Sequence, residues 1–127
     1  MTPTTVLLCD DAADVREMLR YQLLEDPAIR VVGEASNGVE AVDLARRLRP
    51  KVILLDVAMP LLDGLDALPE IEKVSPETRV VVVSSYTADQ MKDRVLSLGA
   101  RSYVQKGTSA RELLKAVNEV LGEPRPT

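Results

Sequence analysis

The sequence predicts a single α/β domain in which a five-stranded parallel sheet is doubly wound, with helices on both faces. Two observations carry this prediction: short apolar runs alternate five times with segments of helical periodicity, and the connections between them are short. Parallel strands joined by right-handed crossovers place the intervening helices on the faces of the sheet. The strand order then follows from the polarity of the strands, because the more polar strands are expected at the edges of the sheet.

The predicted strands fall into two polarity classes. Residues 6–9, 52–55 and 80–83 are wholly apolar and rich in β-branched side chains, which is typical of strands buried on both faces. Residues 30–35 and 101–105 mix polar with apolar positions and are expected at the edges of the sheet. Three central strands flanked by the second and the fifth give the order 2-1-3-4-5, the flavodoxin-like order.

The predicted helices place apolar side chains three and four residues apart, as Leu113, Val117 and Val120 do in the last one. Their boundary signals are Asn37 with Glu40, Thr87 with Gln90, Ser109 with Glu112, and the helix-ending glycines Gly99 and Gly122. One conflict is Pro69, which lies inside the third predicted helix and removes a backbone donor there. That helix is therefore expected to start late or to kink.

Composition excludes several classes of function. The 127 residues carry a net charge of −4, the wrong sign for a domain that binds nucleic acid directly. No apolar run is long enough for a membrane span or a signal peptide, so a cytoplasmic protein without membrane contact is expected. Histidine is absent, which excludes histidine catalysis, histidine metal ligation and a role as phosphohistidine donor.

The chain length and its 46% apolar content predict one globular domain. Residues 1–122 are assigned to that domain. Residues 123–127 contain two prolines directly after Gly122 and are interpreted as the start of a linker.

Chemically active side chains follow four of the five predicted strands. Asp10 and Asp11 follow the first strand, Asp56 the third, Ser84 and Ser85 the fourth, and Lys106 the fifth. Because the carboxyl ends of adjacent parallel strands meet at one edge, the carboxylates are expected within several ångströms of one another. Two like charges about 4 Å apart repel by on the order of 4 kcal/mol at an effective dielectric near 20, so a carboxyl pKa should rise or a cation should bind. Mg²⁺ prefers such oxygen ligands.

Asp56 is the predicted nucleophile, since it ends a central strand and a carboxylate can form an acyl phosphate. Asp10 and Asp11 are expected to hold the metal. In the loop that follows Asp56, Pro60 fixes φ and Gly64 is expected to adopt an unusual backbone angle. Taken singly, these residues are equally compatible with helix caps, turns or solvated charges; their combination favours phosphoryl transfer.

Over residues 6–122 the sequence closely resembles the receiver domain of two-component response regulators. The shared motifs are an acidic pair after the first strand, a phosphoacceptor followed by Met-Pro-x-x-Asp-Gly, a serine or threonine after the fourth strand, and an aromatic residue three positions before a lysine. The resemblance implies Asp56 as phosphoacceptor; Asp11, Asp56 and the Ala58 carbonyl as direct Mg²⁺ ligands and Asp10 as a ligand through water; Ser84 and Lys106 as contacts of the phosphoryl oxygens; Ser84 and Tyr103 as the switch; and Pro60, Asp63 and Gly64 as loop-shaping residues.

Residues 99–107 are most similar to the NarL/FixJ subclass, whose members attach a DNA-binding domain. The resemblance implies a phosphorylation switch rather than an enzyme, with a sensor histidine kinase as partner, Mg²⁺ as cofactor and a receiver homodimer on phosphorylation. The surface of the fourth helix, fifth strand and fifth helix would change to control transcription through an output domain that this chain lacks. The alternative is a stand-alone receiver that acts through protein contacts. Gly107 replaces the proline that many receivers carry, which leaves the isomer of the Lys106–Gly107 peptide open.

Two other classes use related architecture. A haloacid-dehalogenase-like phosphatase also has a strand-end aspartate with Mg²⁺, but it expects a second aspartate where this chain has Ala58. A flavodoxin-like FMN carrier needs a phosphate-binding loop after the first strand, where Asp10 and Asp11 would repel the phosphate. Both are less compatible with the sequence than a receiver.

Overall fold

The structure is a computed structural model that describes residues 2–122. Strands and helices alternate in the order β1 (Thr4–Cys9), α1 (Ala13–Leu23), β2 (Ile29–Ala35), α2 (Gly38–Leu48), β3 (Val52–Leu55), α3 (Gly64–Val74), β4 (Arg79–Ser84), α4 (Ala88–Ser97), β5 (Ser102–Gln105) and α5 (Ala110–Leu121). The predicted linker, residues 123–127, lies outside the described residues. Within residues 2–122, no helix is long and apolar enough to cross a membrane.

The five strands form one parallel sheet in the order β2-β1-β3-β4-β5, so the predicted topology is confirmed. The two strands with mixed polarity, β2 and β5, are the edges, because helices cover both faces of the sheet and leave the edge strands more exposed to solvent than the central ones. The central strand β3 is buried along its whole length. The register of β1 against β2 shifts between Val6 and Leu7.

The core has two layers, because successive side chains of a buried strand point to opposite faces of the sheet. On one face, Leu7, Ile53 and Leu55 pack with apolar residues of α2, α3 and α4. On the other face, Leu8 and Leu54 pack with α1 and α5. Each fully buried leucine stabilises the fold by roughly 1.5–3 kcal/mol. The sheet is therefore a rigid base on which the strand ends are held in place.

Helix boundaries follow the sequence signals. The Asn37 side chain accepts a hydrogen bond from Glu40 N–H at 2.8 Å, and the Ser109 hydroxyl accepts one from Glu112 N–H at 3.2 Å. At α4, the Gln90 side chain accepts from Thr87 N–H at 2.9 Å. The turn after α4 places Gly99 at φ +116°, a conformation that favours glycine, and Gly122 caps α5. The predicted caps are confirmed.

For α3, the structure excludes one of the two expected effects of Pro69, and the expectation about Gly64 in the preceding loop is wrong. Pro69 does not delay the helix, which is continuous from Gly64 with Pro69 inside it; a kink there stays a prediction. Gly64 has no positive φ; it is glycine because a Cβ would lie 2.1 Å from the Asp56 carbonyl oxygen. The positive φ of this loop, 68°, belongs to Leu61, at the centre of a tight turn closed by Leu62 N–H and the Pro60 carbonyl at 2.8 Å.

Candidate metal-binding site

The carboxyl edge of the sheet, the side on which all five strands end, holds a cluster of three carboxylates. Asp10 and Asp56 extend β1 and β3 by one residue: Asp10 N–H donates to the Ala35 carbonyl at 3.0 Å, and Asp56 N–H donates to the Cys9 carbonyl at 2.9 Å. Carboxylate oxygens of Asp10, Asp11 and Asp56 all lie within 4.8 Å of one another. Asp10 and Asp56 are only 2% and 5% exposed, whereas Asp11 is exposed. The predicted convergence is confirmed.

Lys106 lies between the two buried carboxylates. Its Nζ is 2.8 Å from Asp10 Oδ2 and 3.2 Å from Asp56 Oδ2, and its side chain is mostly buried. The lysine is held at this edge because its backbone N–H donates to the Ser84 carbonyl at 2.7 Å, one step beyond the β4–β5 ladder. The other Asp10 oxygen, Oδ1, accepts from Ala12 N–H at 2.9 Å. One ammonium therefore serves two carboxylates.

The electrostatics of the cluster are unbalanced. Burial raises the pKa of Asp56, the Asp10 charge raises it further, and Lys106 offsets only part of the effect. Burial lowers the pKa of Lys106, but the hydrogen bond with Asp10 and the charges of both aspartates outweigh it, so the pKa is raised. Three carboxylates against one ammonium leave two negative charges at this edge. A divalent cation with oxygen ligands fits that deficit, and Mg²⁺ is the common one.

The loop after Asp56 is fixed at both ends. Gly64 N–H donates to the Val57 carbonyl at 2.6 Å, and the Asp63 side chain caps α3 by accepting from Asp66 N–H at 2.9 Å. Ala58 is exposed beside the carboxylates, and its carbonyl as a metal ligand stays a prediction. Pro60 and the Leu61 turn close the segment between these anchors. The loop is thus held in place close to the three carboxylates.

Ser84 and Tyr103 are linked through the segment after β4. The buried Ser84 hydroxyl accepts from Tyr86 N–H at 3.3 Å, and the Tyr103 hydroxyl donates to the Tyr86 carbonyl. Tyr103 is half-buried against the core. The two predicted switch residues therefore both contact the backbone of Tyr86. Their action as a switch stays a prediction.

Sequence reasoning missed one set of contacts. Arg16 donates from Nη1 to the Asp10 carbonyl at 2.6 Å and from Nε to Glu34 Oε1 at 2.9 Å, and Arg20 also binds Glu34. Arginines four residues apart lie on one face of a helix, which was the available signal. Their acceptors are a backbone carbonyl and an edge-strand carboxylate, which that spacing does not identify.

Comparison with known proteins gives one family. The family model described as response regulator receiver domain matches residues 6–118. Over 115 residues the chain is 34% identical to the chemotaxis protein CheY of Thermotoga maritima, covering 91% of this chain and 95% of that protein. It is 39% identical over 116 residues to a protein-glutamate methylesterase/protein-glutamine glutaminase of Rhodospirillum centenum, covering 90% of this chain. The chain spans only 29% of the length of that methylesterase.

The fold comparison agrees with the sequence comparison. The signal receiver domain of the response regulator NarL from Mycobacterium tuberculosis superimposes with a TM-score of 0.89 at 29% sequence identity, covering 97% of this chain and all of that one. This neighbour carries the name of the subclass that residues 99–107 resemble. Since one similar protein is almost fully covered and another only in part, the relatives carry the same domain in chains of very different length.

Proposed function

Because the chain belongs to the response regulator receiver domain family of two-component signalling, whose domains are phosphoacceptor switches, we propose that Asp56 is its phosphoacceptor. The observation that carries the proposal is the burial of Asp56 against Asp10, with Lys106 Nζ 3.2 Å from its carboxylate. A carboxylate in this position is aimed along its strand into the crevice beyond the sheet, where α/β proteins of this type bind ligands. The domain alone is regulatory.

The reaction is a transfer between two molecules. An Asp56 carboxylate oxygen attacks the phosphorus of a phosphohistidine on a sensor histidine kinase; the new P–O bond forms as the P–N bond breaks, and the imidazole nitrogen keeps the bonding electron pair and takes up a proton. This chain contains no histidine, so the phosphohistidine lies outside these 127 residues. Such catalysis depends mainly on position and charge.

The neighbouring residues supply that charge. Asp11, Asp56 and the Ala58 carbonyl would hold Mg²⁺ directly and Asp10 through water, and the ion would neutralise oxygens of the transferred group. Lys106 already lies within ion-pair distance of Asp56 and would donate to a phosphoryl oxygen. The Ser84 hydroxyl, which accepts from Tyr86 N–H, would rotate and donate to another. Each oxygen of the phosphoryl group on Asp56 would then have a partner.

The switch follows from what Ser84 releases. When its hydroxyl turns to the phosphoryl group, Tyr86 N–H loses its acceptor, and the Tyr86 carbonyl that binds Tyr103 moves with it. The α4–β5–α5 surface then shifts between two packings. Phosphorylation biases that equilibrium only by the contacts that differ between the two states.

The output of the switch lies outside this domain. We propose that the full-length protein regulates transcription through a DNA-binding domain, with a receiver homodimer formed on phosphorylation, in line with the likeness to the NarL receiver domain. The second candidate is a stand-alone receiver that acts through protein contacts. It is favoured by the 95% coverage of the Thermotoga CheY protein.

The test is intact-mass spectrometry after treatment with acetyl phosphate, with and without Mg²⁺. The native chain should gain one phosphoryl group only when Mg²⁺ is present, and Asp56→Asn should gain none. The matched control is Asp66→Asn, an exposed aspartate in the first turn of α3, which should be labelled like the native chain. Labelling of Asp56→Asn at the native level would remove Asp56 from this role.

A further inference from the structure

We propose that Arg16 is a positioning residue for the metal site: it fixes the Asp10–Asp11 peptide, and through that peptide it sets where the Asp11 carboxylate lies. The inference rests on the proposed function, because it concerns Mg²⁺ binding at the same carboxylates. It adds residues of α1 and β2 that lie outside the acidic cluster itself.

The contact is short, charged and largely shielded from water. Arg16 Nη1 donates to the Asp10 carbonyl at 2.6 Å, and the Arg16 side chain is only 17% exposed. Hydrogen bonds from a charged donor are roughly twice as strong as neutral ones. The acceptor is the carbonyl of the peptide that leads into Asp11, so the guanidinium restrains the orientation of that peptide.

Asp11 depends on its backbone more than the other two carboxylates do. Asp10 is held by Lys106 and Ala12 N–H, and Asp56 is held by Lys106. In the described part of the chain, the Asp11 side chain makes no hydrogen bond or ion pair, and it is exposed. The position of the Asp11 carboxylate, within 4.8 Å of the other two, therefore depends on the peptide that Arg16 holds.

Glu34 makes this arrangement compatible with a cation. A free guanidinium next to a metal site would repel Mg²⁺, but Glu34 accepts from Arg16 Nε at 2.9 Å and also binds Arg20. The hydrogen bond with Arg20, and that with Arg16, lower the pKa of Glu34, so it stays ionised at neutral pH. Glu34 thus orients the guanidinium and compensates its charge.

The test is the Mg²⁺ dissociation constant of the full chain, measured by isothermal titration calorimetry. The main variant is Arg16→Ala combined with Glu34→Ala, which removes the contact without changing net charge. The matched control is Arg46→Ala with Asp43→Ala, which removes an exposed ion pair on α2 and is also charge-neutral. Arg16→Lys is a third variant, since lysine keeps the positive charge but lacks the planar guanidinium with which Arg16 donates from two separate nitrogens.

The Arg16/Glu34 double variant should bind Mg²⁺ about tenfold more weakly, the size typical of losing a residue that orients metal ligands. Arg16→Lys should be intermediate, and the Arg46/Asp43 control should match the native chain. Far-UV circular dichroism at the titration temperature confirms that each variant is folded, so a purely structural role would leave the constants unchanged. Native-like affinity in the Arg16/Glu34 variant overturns the inference. A native chain that does not bind Mg²⁺ overturns the proposed metal site instead.

Discussion

The two ends of the strands, called here the amino edge and the carboxyl edge of the sheet, differ in the polar groups that they bury. At the amino edge, Thr78 donates to the Pro50 carbonyl at 2.6 Å, the Ser75 and Thr78 hydroxyls are 2.6 Å apart, and both residues are 2% exposed. These groups are neutral and satisfy one another. At the carboxyl edge, Asp10 and Asp56 are almost as buried, but they carry like charges and share the single ammonium of Lys106.

This difference means that the buried polar groups of the amino edge stabilise the fold, whereas those of the carboxyl edge destabilise it. A satisfied buried hydroxyl network contributes to stability, whereas buried like charges cost free energy unless a counter-charge is supplied. The buried hydroxyl groups of the amino edge are satisfied without a ligand, while the acidic cluster of the carboxyl edge is two positive charges short of neutrality. Sites that bind charged ligands are commonly found at such locally unfavourable places.

The largest effect is expected from Lys106→Met. Without Mg²⁺ this change leaves two buried carboxylates with no counter-charge and should lower the free energy of unfolding by about 3 kcal/mol in urea denaturation. Lys73→Met is the control, since it removes only an exposed lysine 3.6 Å from Glu70 and should cost under about 0.5 kcal/mol. Equal effects of the two substitutions would mean that Lys106 does not hold the carboxyl edge together.

At the amino edge, Thr78→Val should cost about 2 kcal/mol, because it keeps the shape of the side chain but leaves the Pro50 carbonyl and the Ser75 hydroxyl without their partner. Urea denaturation measures the loss. The same variant should be phosphorylated by acetyl phosphate like the native chain, since the site lies at the other end of the sheet. A phosphorylation defect in a folded Thr78→Val protein would show that the two edges are coupled.

Asp56→Asn should act in the opposite direction and stabilise the metal-free protein by on the order of 1 kcal/mol. It removes a buried charge next to Asp10, and Lys106 still pairs with Asp10 at 2.8 Å. Thermal melting in a chelator measures the gain. A lower melting temperature would indicate that Asp56 contributes more through Lys106 than it costs through burial.

The smallest effect is the pH dependence of that gain. Since the pKa of Asp56 is raised on folding, its cost is fully present above the raised pKa and disappears as the pH falls towards the ordinary value of 3.8. The stability difference between Asp56→Asn and the native chain should therefore shrink on acidification.

The ionised Glu34 side chain stabilises the fold, whereas ionised Asp56 destabilises it. The pKa of Glu34 is lowered on folding, so its contribution to the free energy of unfolding is present above its ordinary pKa and is lost on acidification.

Urea denaturation of Glu34→Gln across the same pH range should accordingly show a lower free energy of unfolding than the native chain at neutral pH. This difference should also become smaller at acidic pH. Glu34 is partly exposed, so solvent screening keeps this loss below about 1 kcal/mol. Differences that are independent of pH in both variants would show that neither carboxyl group changes its pKa on folding.

The sequence was sufficient for the topology and for the acidic cluster. Wholly apolar strands are central and mixed ones are edges, and the shared parallel direction of the strands brings Asp10, Asp56 and Lys106 to one end of the sheet. The raised pKa expected of a carboxyl group in this cluster is confirmed at Asp56. These results depend only on burial and on the direction of the strands.

What the sequence could not predict depends on where backbone atoms lie. Gly64 is required by the closeness of the Asp56 carbonyl, not by its own φ, and the positive φ falls on Leu61. Arg16 binds a backbone carbonyl, which no residue type reveals. Similarly, the contact of Tyr103 with the Tyr86 carbonyl appears only when β5 and the segment after β4 are placed side by side.

The central claim is that the carboxyl edge is kept short of neutrality so that it binds a divalent cation. Its most direct test is the free energy of unfolding of the native chain and of Asp56→Asn as Mg²⁺ is added. The native chain should gain about 2.7 kcal/mol at a hundredfold excess over its dissociation constant, and Asp56→Asn should gain markedly less. A native stability that does not respond to Mg²⁺, or an equal response from both proteins, would contradict the account.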